Sequence, residues 1–472
     1  MRQPFSFSAL QSFTARVLAA VSLLIVARGI APAAPAPERE KAQPSAHERA
    51  LGSPAWVRSG TIYEINVRQF SASGRFDAVT ADLPRLSALG VDILWLMPIH
   101  PIGEKNRKGT LGSYYAIKDY FAVNPEFGPE EDFRAFVTAA HARGMKVILD
   151  WVGNHVSPDN PLTTAHPEFF WHDEKGNLVP PHGTDWTDVV QFDFNAPGLL
   201  DYQASALLHW IQKFGVDGFR CDVAWGLPTP FWDALTARVR AVKPDAFFLA
   251  EAELPQEQVR AFHTSYGFDL HHAMNAIAQG KKGASAIDDA LAKFRAHFPR
   301  GGSLMVFTSS HDENSWAGTE FERMGAGYAP FAVLTFLLDG VPMIYNGQEA
   351  GLDRRLNFFE RDPIVWPQVA HPATARYQVL TALRRSHPAL HTGAAQRRLD
   401  TTDNGSIYAV LRESGQKKVV GFLNLSAKEV KADAFDPALA GAWRDAFTGE
   451  TVTLNPLVPL ELKAWEYRVY AK

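Results

Sequence analysis

From Thr61 onward the chain alternates short apolar runs with amphipathic stretches, and that rhythm restricts its fold more than any other feature. The runs are Ile62-Val67, Val91-Met97, Val147-Trp151, Val216-Asp222, Phe247-Glu251, Met305-Thr308 and Pro342-Tyr345. None alternates strictly between apolar and polar residues, which is the pattern of strands covered on both faces in a parallel sheet. Between them, Ala81-Leu89, Glu131-Arg143, Leu199-Phe214 and Phe231-Val242 carry helical spacing. A weaker strand expected near Phe268-Leu270 completes the eight βα units of an α/β (β/α)8 TIM barrel over residues 56–390.

Two stretches break the rhythm. Asn154 to Asn195 is dense in His, Pro, Asp and Trp and too long for an ordinary βα loop, so residues 155–195 are expected to form a short inserted segment after strand 3. Beyond Leu390 the pattern turns to alternation, in Ser406-Leu411 and Val419-Leu423, with turns at Asn404-Gly405 and Gly415. That predicts a C-terminal antiparallel β-sandwich domain over 391–472.

The first residues read as a targeting segment. Arg2 and Arg16 precede the apolar run Val17-Val26, and the small residues Ala31-Pro32-Ala33-Ala34 follow. Residues 1–36 are expected to be a signal peptide, residues 37–55 a linker or irregular N-terminus, and the protein exported to a periplasm or the medium. No cysteine lies near the cleavage region, so no lipid anchor is evident; Cys221 is the only cysteine and excludes an intramolecular disulfide. A formal net charge of -4 with no basic stripe argues against nucleic acid as a partner.

Barrel enzymes place chemistry at the C-terminal ends of their strands. Asp150, Asp222, Glu251 and Asp312 end or follow apolar runs here, with His155 and His311 beside them. In Gly218-Phe219-Arg220-Cys221-Asp222, residues two apart share a face, so Arg220 accompanies Asp222 and is expected to keep it ionised by lowering its pKa. That suits a nucleophile, and equally a buried salt bridge that only fixes the barrel. Cys221 faces the helix layer as a packing residue. Glu251 ends the next unit, so the two carboxyl groups sit on adjacent strands, the close spacing that a retaining glycosidase needs. Glu253 shares that face and is the rival acid.

At these positions the chain resembles the α-amylase family (glycoside hydrolase family 13). Leu149-Asp150-Trp151-Val152-Gly153-Asn154-His155 is similar to the family's first motif, Gly218 to Asp222 to its second, and Leu249-Ala250-Glu251 to its third. Phe307-Thr308-Ser309-Ser310-His311-Asp312 is similar to the fourth, and Gln191-Phe192-Asp193-Phe194-Asn195 to the short motif near the end of the inserted domain. Gly112 to Tyr120 resembles the segment supplying a stacking tyrosine after the second strand.

The resemblance implies Asp222 as nucleophile, Glu251 as general acid and base, and Asp312 as a transition-state-binding carboxylate. It implies substrate contacts from Tyr114, stacked beneath the sugar, and from His155 and His311. Arg220 positions the nucleophile beside the substrate, with Asp150 as its support. The implied partner is an α-glucan or maltooligosaccharide, and no cofactor is required for the chemistry.

One departure concerns a Lys-His pair that many α-amylases carry three and four residues beyond the nucleophile. Trp225 and Gly226 stand there instead. That pair contributes to a structural calcium site, for which Asn154 remains as a candidate metal ligand. Three functions stay open on the sequence: hydrolysis of α-1,4-glucosidic bonds, transglycosylation or a trehalose- or sucrose-directed activity on the same carboxylates, and a non-catalytic glucan-binding or transporter-associated role.

Overall fold

The computed structural model describes residues 40–472; the expected signal peptide and the first residues of the expected linker lie outside that range. Eight parallel strands close a barrel: β1 (Ile62–Ile65), β2 (Ile93–Leu96), β3 (Lys146–Trp151), β4 (Gly218–Cys221), β5 (Phe247–Ala250), β6 (Thr264–Tyr266), β7 (Leu304–Val306) and β8 (Val341–Tyr345). Each pairs with its sequence neighbours, and β1 pairs with β8, so the sheet has no edge. Ile62, Ile93, Trp95, Ile148, Phe247, Leu249, Met305 and Met343 fill the interior, while the opposite strand faces pack on the surrounding helices. Burial on both faces is why these runs show no polar alternation.

The sixth strand is not where the sequence placed it. Phe268 and Leu270 begin the helix Phe268–Ala278, and the strand is the preceding Thr264-Ser265-Tyr266. Two of its three residues are polar and all are buried, so an apolar criterion passes over it. The N-terminal stretch is not a free linker over its described part. Ser45 N donates to His297 O (2.7 Å), Ala50 N to Arg300 O (3.0 Å) and Leu51 N to Gln258 O (2.8 Å), fastening it across the barrel.

The insert after β3 is built on a short antiparallel pairing of His155–Val156 with Val190–Gln191. The C-terminal region holds β9 (Ala395–Leu399), β10 (Ile407–Ser414), β11 (Lys417–Asn424), β12 (Val430–Phe435), β13 (Gly441–Asp445), β14 (Thr451–Leu454), β15 (Leu457–Leu462) and β16 (Tyr467–Ala471). Six form one sheet in the order β9-β10-β11-β16-β13-β14, and β12 pairs with β15 as a separate ribbon. Leu411, Phe422, Ala434, Trp443 and Leu462 make their shared core.

Candidate active site

The strands end in a cavity of about 600 Å³ lined by Tyr115, His155, Asp222, Glu251, His311 and Asp312. Its floor is organised by one arginine. Arg220, fully buried on β4, places Nη1 2.8 Å from Asp150 Oδ1 and 3.0 Å from Asp222 Oδ1, and Nη2 2.9 Å from Glu251 Oε1. Backbone pairing sets this arrangement: Asp222 N donates to Trp151 O (2.9 Å) and Glu251 N to Cys221 O (3.0 Å), so the ladder continues one residue past each strand.

The chain then turns sharply. Val223 has φ of 46°, a left-handed conformation that β-branched residues rarely adopt. This turn points the Val223 amide at Glu251, whose Oε2 accepts it at 2.8 Å. Strain at a functional site is retained where the surroundings over-determine it.

Three carboxylates around one guanidinium do not titrate independently. Burial pushes Asp222 well above the usual carboxylate range, and the Glu251 charge adds to this, while Arg220 opposes it. The expected lowering by Arg220 is therefore outweighed: desolvation and a like charge exceed the single cation. Burial also pushes Asp150 up, to about 6, against the pull of Arg220.

A second chain of hydrogen bonds runs along the opposite wall. Glu64, buried on β1, has Oε1 2.5 Å from His311 Nδ1. His311 Nε2 lies 2.7 Å from the Tyr115 hydroxyl and 3.3 Å from Asp312 Oδ2, and the hydroxyl donates on to Asp150 Oδ2 at 3.2 Å. Burial disfavours the imidazolium, yet Asp312 and Glu64 hold His311 well above its ordinary range, so both ring nitrogens donate. Burial raises Asp312 in turn, but the adjacent His311 charge prevails and keeps it below the carboxylate range.

His155 is the contrasting histidine. Burial lowers it to about 3, so it is neutral. The Asn154 amide lies 3.2 Å from its Nδ1, which leaves the proton on Nε2 as a donor.

Several sequence expectations move. Tyr114 does not line the cavity: its ring is buried under the Arg68 guanidinium at 4.1 Å and against Phe358 at 5.3 Å. Its neighbour Tyr115 takes the wall, with its ring stacked on His311 at 5.6 Å. Arg220 lies beneath the carboxylates and away from the cavity surface, so it positions them and does not bind substrate directly. Glu253 turns aside to accept from Asp269 N at 3.0 Å and lines a different cavity, which leaves Glu251 as the carboxyl beside Asp222.

The residues near Asn154 do not fit a calcium ion. The side-chain nitrogen of Gln191 lies 3.0 Å from Asn154 Oδ1, 3.2 Å from Asn154 O and 3.2 Å from Phe192 O. A donor therefore stands where these oxygens converge, whereas calcium takes six to eight oxygens. Among the described residues, no group of three His, Cys, Asp or Glu side chains is arranged to hold a metal.

Glu64 and Tyr115 are the site residues that the sequence did not yield. A carboxylate inside the strand-like run Ile62-Val67 was the available signal for the first. Nothing in the sequence separates Tyr115 from Tyr114.

Comparison with known proteins bears on these features. A profile of the alpha amylase catalytic domain matches residues 57–387. The crystal structure of an alpha-amylase from Lactobacillus plantarum aligns with a TM-score of 0.79 at 33% identity, over 88% of this chain and 99% of that one. The alpha-amylase MalA of Haloarcula japonica is 28% identical over 403 residues, 80% of this chain and 58% of the relative. An alpha-1,4-glucan:maltose-1-phosphate maltosyltransferase of Streptomyces coelicolor is 28% identical over 407 residues, 79% of this chain and 60% of the relative. The chain thus spans less than two thirds of the length of these two curated relatives.

Proposed function

The chain belongs to the α-amylase family, whose catalytic domain it carries at residues 57–387, and on that premise we propose that it hydrolyses α-1,4-glucosidic bonds of maltooligosaccharides or starch-type glucans with retention at the anomeric carbon. The observation that carries this reading is the pair Asp222 and Glu251, held by neighbouring nitrogens of one guanidinium and facing the same cavity as Asp312.

In the first step an Asp222 oxygen bonds to the anomeric carbon as the glycosidic C–O bond breaks, and Glu251 gives its proton to the leaving oxygen. In the second, Glu251 takes a proton from water, whose oxygen displaces Asp222 and restores both groups. The Val223 N–H on Glu251 Oε2 fixes the acid's orientation through both steps. Asp312 and the His311 imidazolium meet hydroxyls of the reacting sugar, and neutral His155 donates from the far side. Tyr115 lies under the ring and fixes His311 by its hydroxyl.

Charge supports a neutral sugar over a sugar phosphate. Asp185, Asp188, Asp222, Glu251 and Asp312 line the cavity, and its one lysine, Lys108, is already 3.2 Å from Asp188. The His311 charge lies between Glu64 and Asp312. A dianionic phosphate donor meets net repulsion here.

The test is incubation of the purified protein with maltoheptaose, following products by chromatography and anomeric NMR. Shorter maltooligosaccharides released in the α configuration are expected. Products longer than the substrate replace hydrolysis by transfer, and initial β-anomers contradict retention. Maltose 1-phosphate is expected to release no phosphate.

A further inference from the structure

Residues 104–112, in the loop that follows β2, join two rims of the catalytic cavity. The first part of this strap is fixed to the insert. Glu104 N donates to Asp159 Oδ2 at 2.9 Å, Asn106 Nδ2 donates to Thr187 O at 3.0 Å, and Lys108 Nζ lies 3.2 Å from the buried Asp188. The second part is fixed to the loop that follows β8: Thr110 N donates to Glu360 Oε1 at 2.8 Å and Leu111 N to Phe359 O at 3.1 Å. Gly109 has φ of 62°, and a Cβ there would stand 2.5 Å from Phe359 Cβ, so strap and loop are in close contact. Fully buried Arg68 clamps the same junction, donating to Leu111 O at 3.3 Å, Gly112 O at 3.1 Å and Phe358 O at 3.5 Å, with Glu126 as its counter-ion at 2.8 Å. Within the strap, Arg107 donates back to Gly103 O at 2.8 Å and to Ile102 O at 3.2 Å. A segment bonded at both rims and within itself is a fixed wall, since mobile loops are those with few such contacts.

The direction of the reaction says which end of the substrate meets this wall. The leaving group carries the reducing end and departs on the side of the acid Glu251. The sugar that becomes bonded to Asp222 lies toward Tyr115, His311 and Asp312, and any further sugars on it lead to the non-reducing end. Past Tyr115 the cavity reaches Phe358, stacked on the tyrosine ring at 6.2 Å, and Lys108 of the strap. A longer chain would have to leave between the insert and the loop after β8, where the strap stands. Resting on the glycosidase reading above, we infer that residues 104–112 close the cavity on its non-reducing side, so that the enzyme works inward from the non-reducing ends of α-glucans and leaves internal bonds uncut.

The test compares kcat/KM for maltoheptaose with that for maltoheptaose whose non-reducing glucose carries a 4,6-O-benzylidene cap, in the full-length protein and in Asn106→Ala/Lys108→Ala, which unties the strap from the insert. The unaltered protein is expected to cleave the capped chain about a hundredfold less well, since a wall discriminates by clash. The double variant is expected to regain about tenfold on the capped chain, the effect of lowering that barrier by one decade. Comparable cleavage of capped and free chains by the unaltered protein overturns the wall alone. A capped chain refused equally by the variant overturns the assignment of the block to this strap. No cleavage of free maltoheptaose by the unaltered protein overturns the glycosidase reading and the wall with it.

Discussion

Arg220 serves three carboxylates with two nitrogens, and its single charge is outweighed by burial, which pushes Asp222 and Asp150 upward against its pull. On the opposite wall the Asp312 and Glu64 carboxylates together hold His311 well above its ordinary range against burial. A raised histidine pKa in the folded state gives stabilisation that is complete below the unfolded value and is lost as pH rises through the folded one. Removing the Glu64 charge lowers that upper boundary. The other groups facing His311 are Asp312, Tyr115 and, through the hydroxyl, Asp150. In Glu64→Gln the alkaline limb of kcat/KM is therefore expected to move to lower pH, with the acid limb less affected; a uniform fall at all pH values assigns Glu64 a purely structural role. At this scale the sequence was readable where a side chain's placement follows from strand alternation, as for Arg220 and Asp222. It was not readable at Tyr114 and Tyr115, because a loop has no fixed period to say which of two adjacent rings turns inward.

The insert shows how an element is anchored. Gln191 reaches from the insert's short ribbon to the Asn154 oxygens at the end of β3, and Gly226 leaves room there: a Cβ at 226 would lie 2.7 Å from Asn154 Oδ1. Since an amide joins these oxygens, chelation by EDTA is expected to leave the melting temperature and activity unchanged. Gln191→Ala is expected to cost roughly 1–3 kcal/mol through the unsatisfied buried carbonyls. A fall in melting temperature with EDTA, restored by calcium, would show that a cation holds the insert. Seven of the eight barrel strands were legible because double-sided burial demands unbroken apolar runs. Thr264–Tyr266 was not, because hydrogen bonding fixes it: Ser265 N donates to Ser303 O at 3.1 Å and Gln258 Nε2 to Ser265 Oγ at 2.8 Å.

Across the whole molecule the barrel depends on the C-terminal sheet. The helix Tyr328–Leu337 is buried at every position from Pro330 to Leu337, and Leu337 reaches so near β11 that a Cβ at Gly421 would lie 2.4 Å from its Cδ1. Arg412 of β10 is fully buried and donates to Leu337 O at 3.0 Å. Removal of residues 391–472 uncovers that apolar helix, so the truncated chain is expected to aggregate on expression; a soluble barrel of wild-type activity contradicts this dependence. The sequence indicated both regions by their different periodicities, but neither the interface nor the fastening of residues 45–51 across the barrel has a sequence signal, since backbone bonds use groups that every residue carries. On the proposed mechanism this scaffold presents the Asp222 carboxylate to an anomeric carbon, which can be tested directly. Glu251→Gln, which cannot supply a proton, is incubated with α-maltosyl fluoride, whose leaving group needs none, then digested and analysed by mass spectrometry. A maltosyl increment on the peptide containing Asp222 is expected; an increment on a peptide containing Asp312 or Asp150 instead would contradict the assignment of the nucleophile.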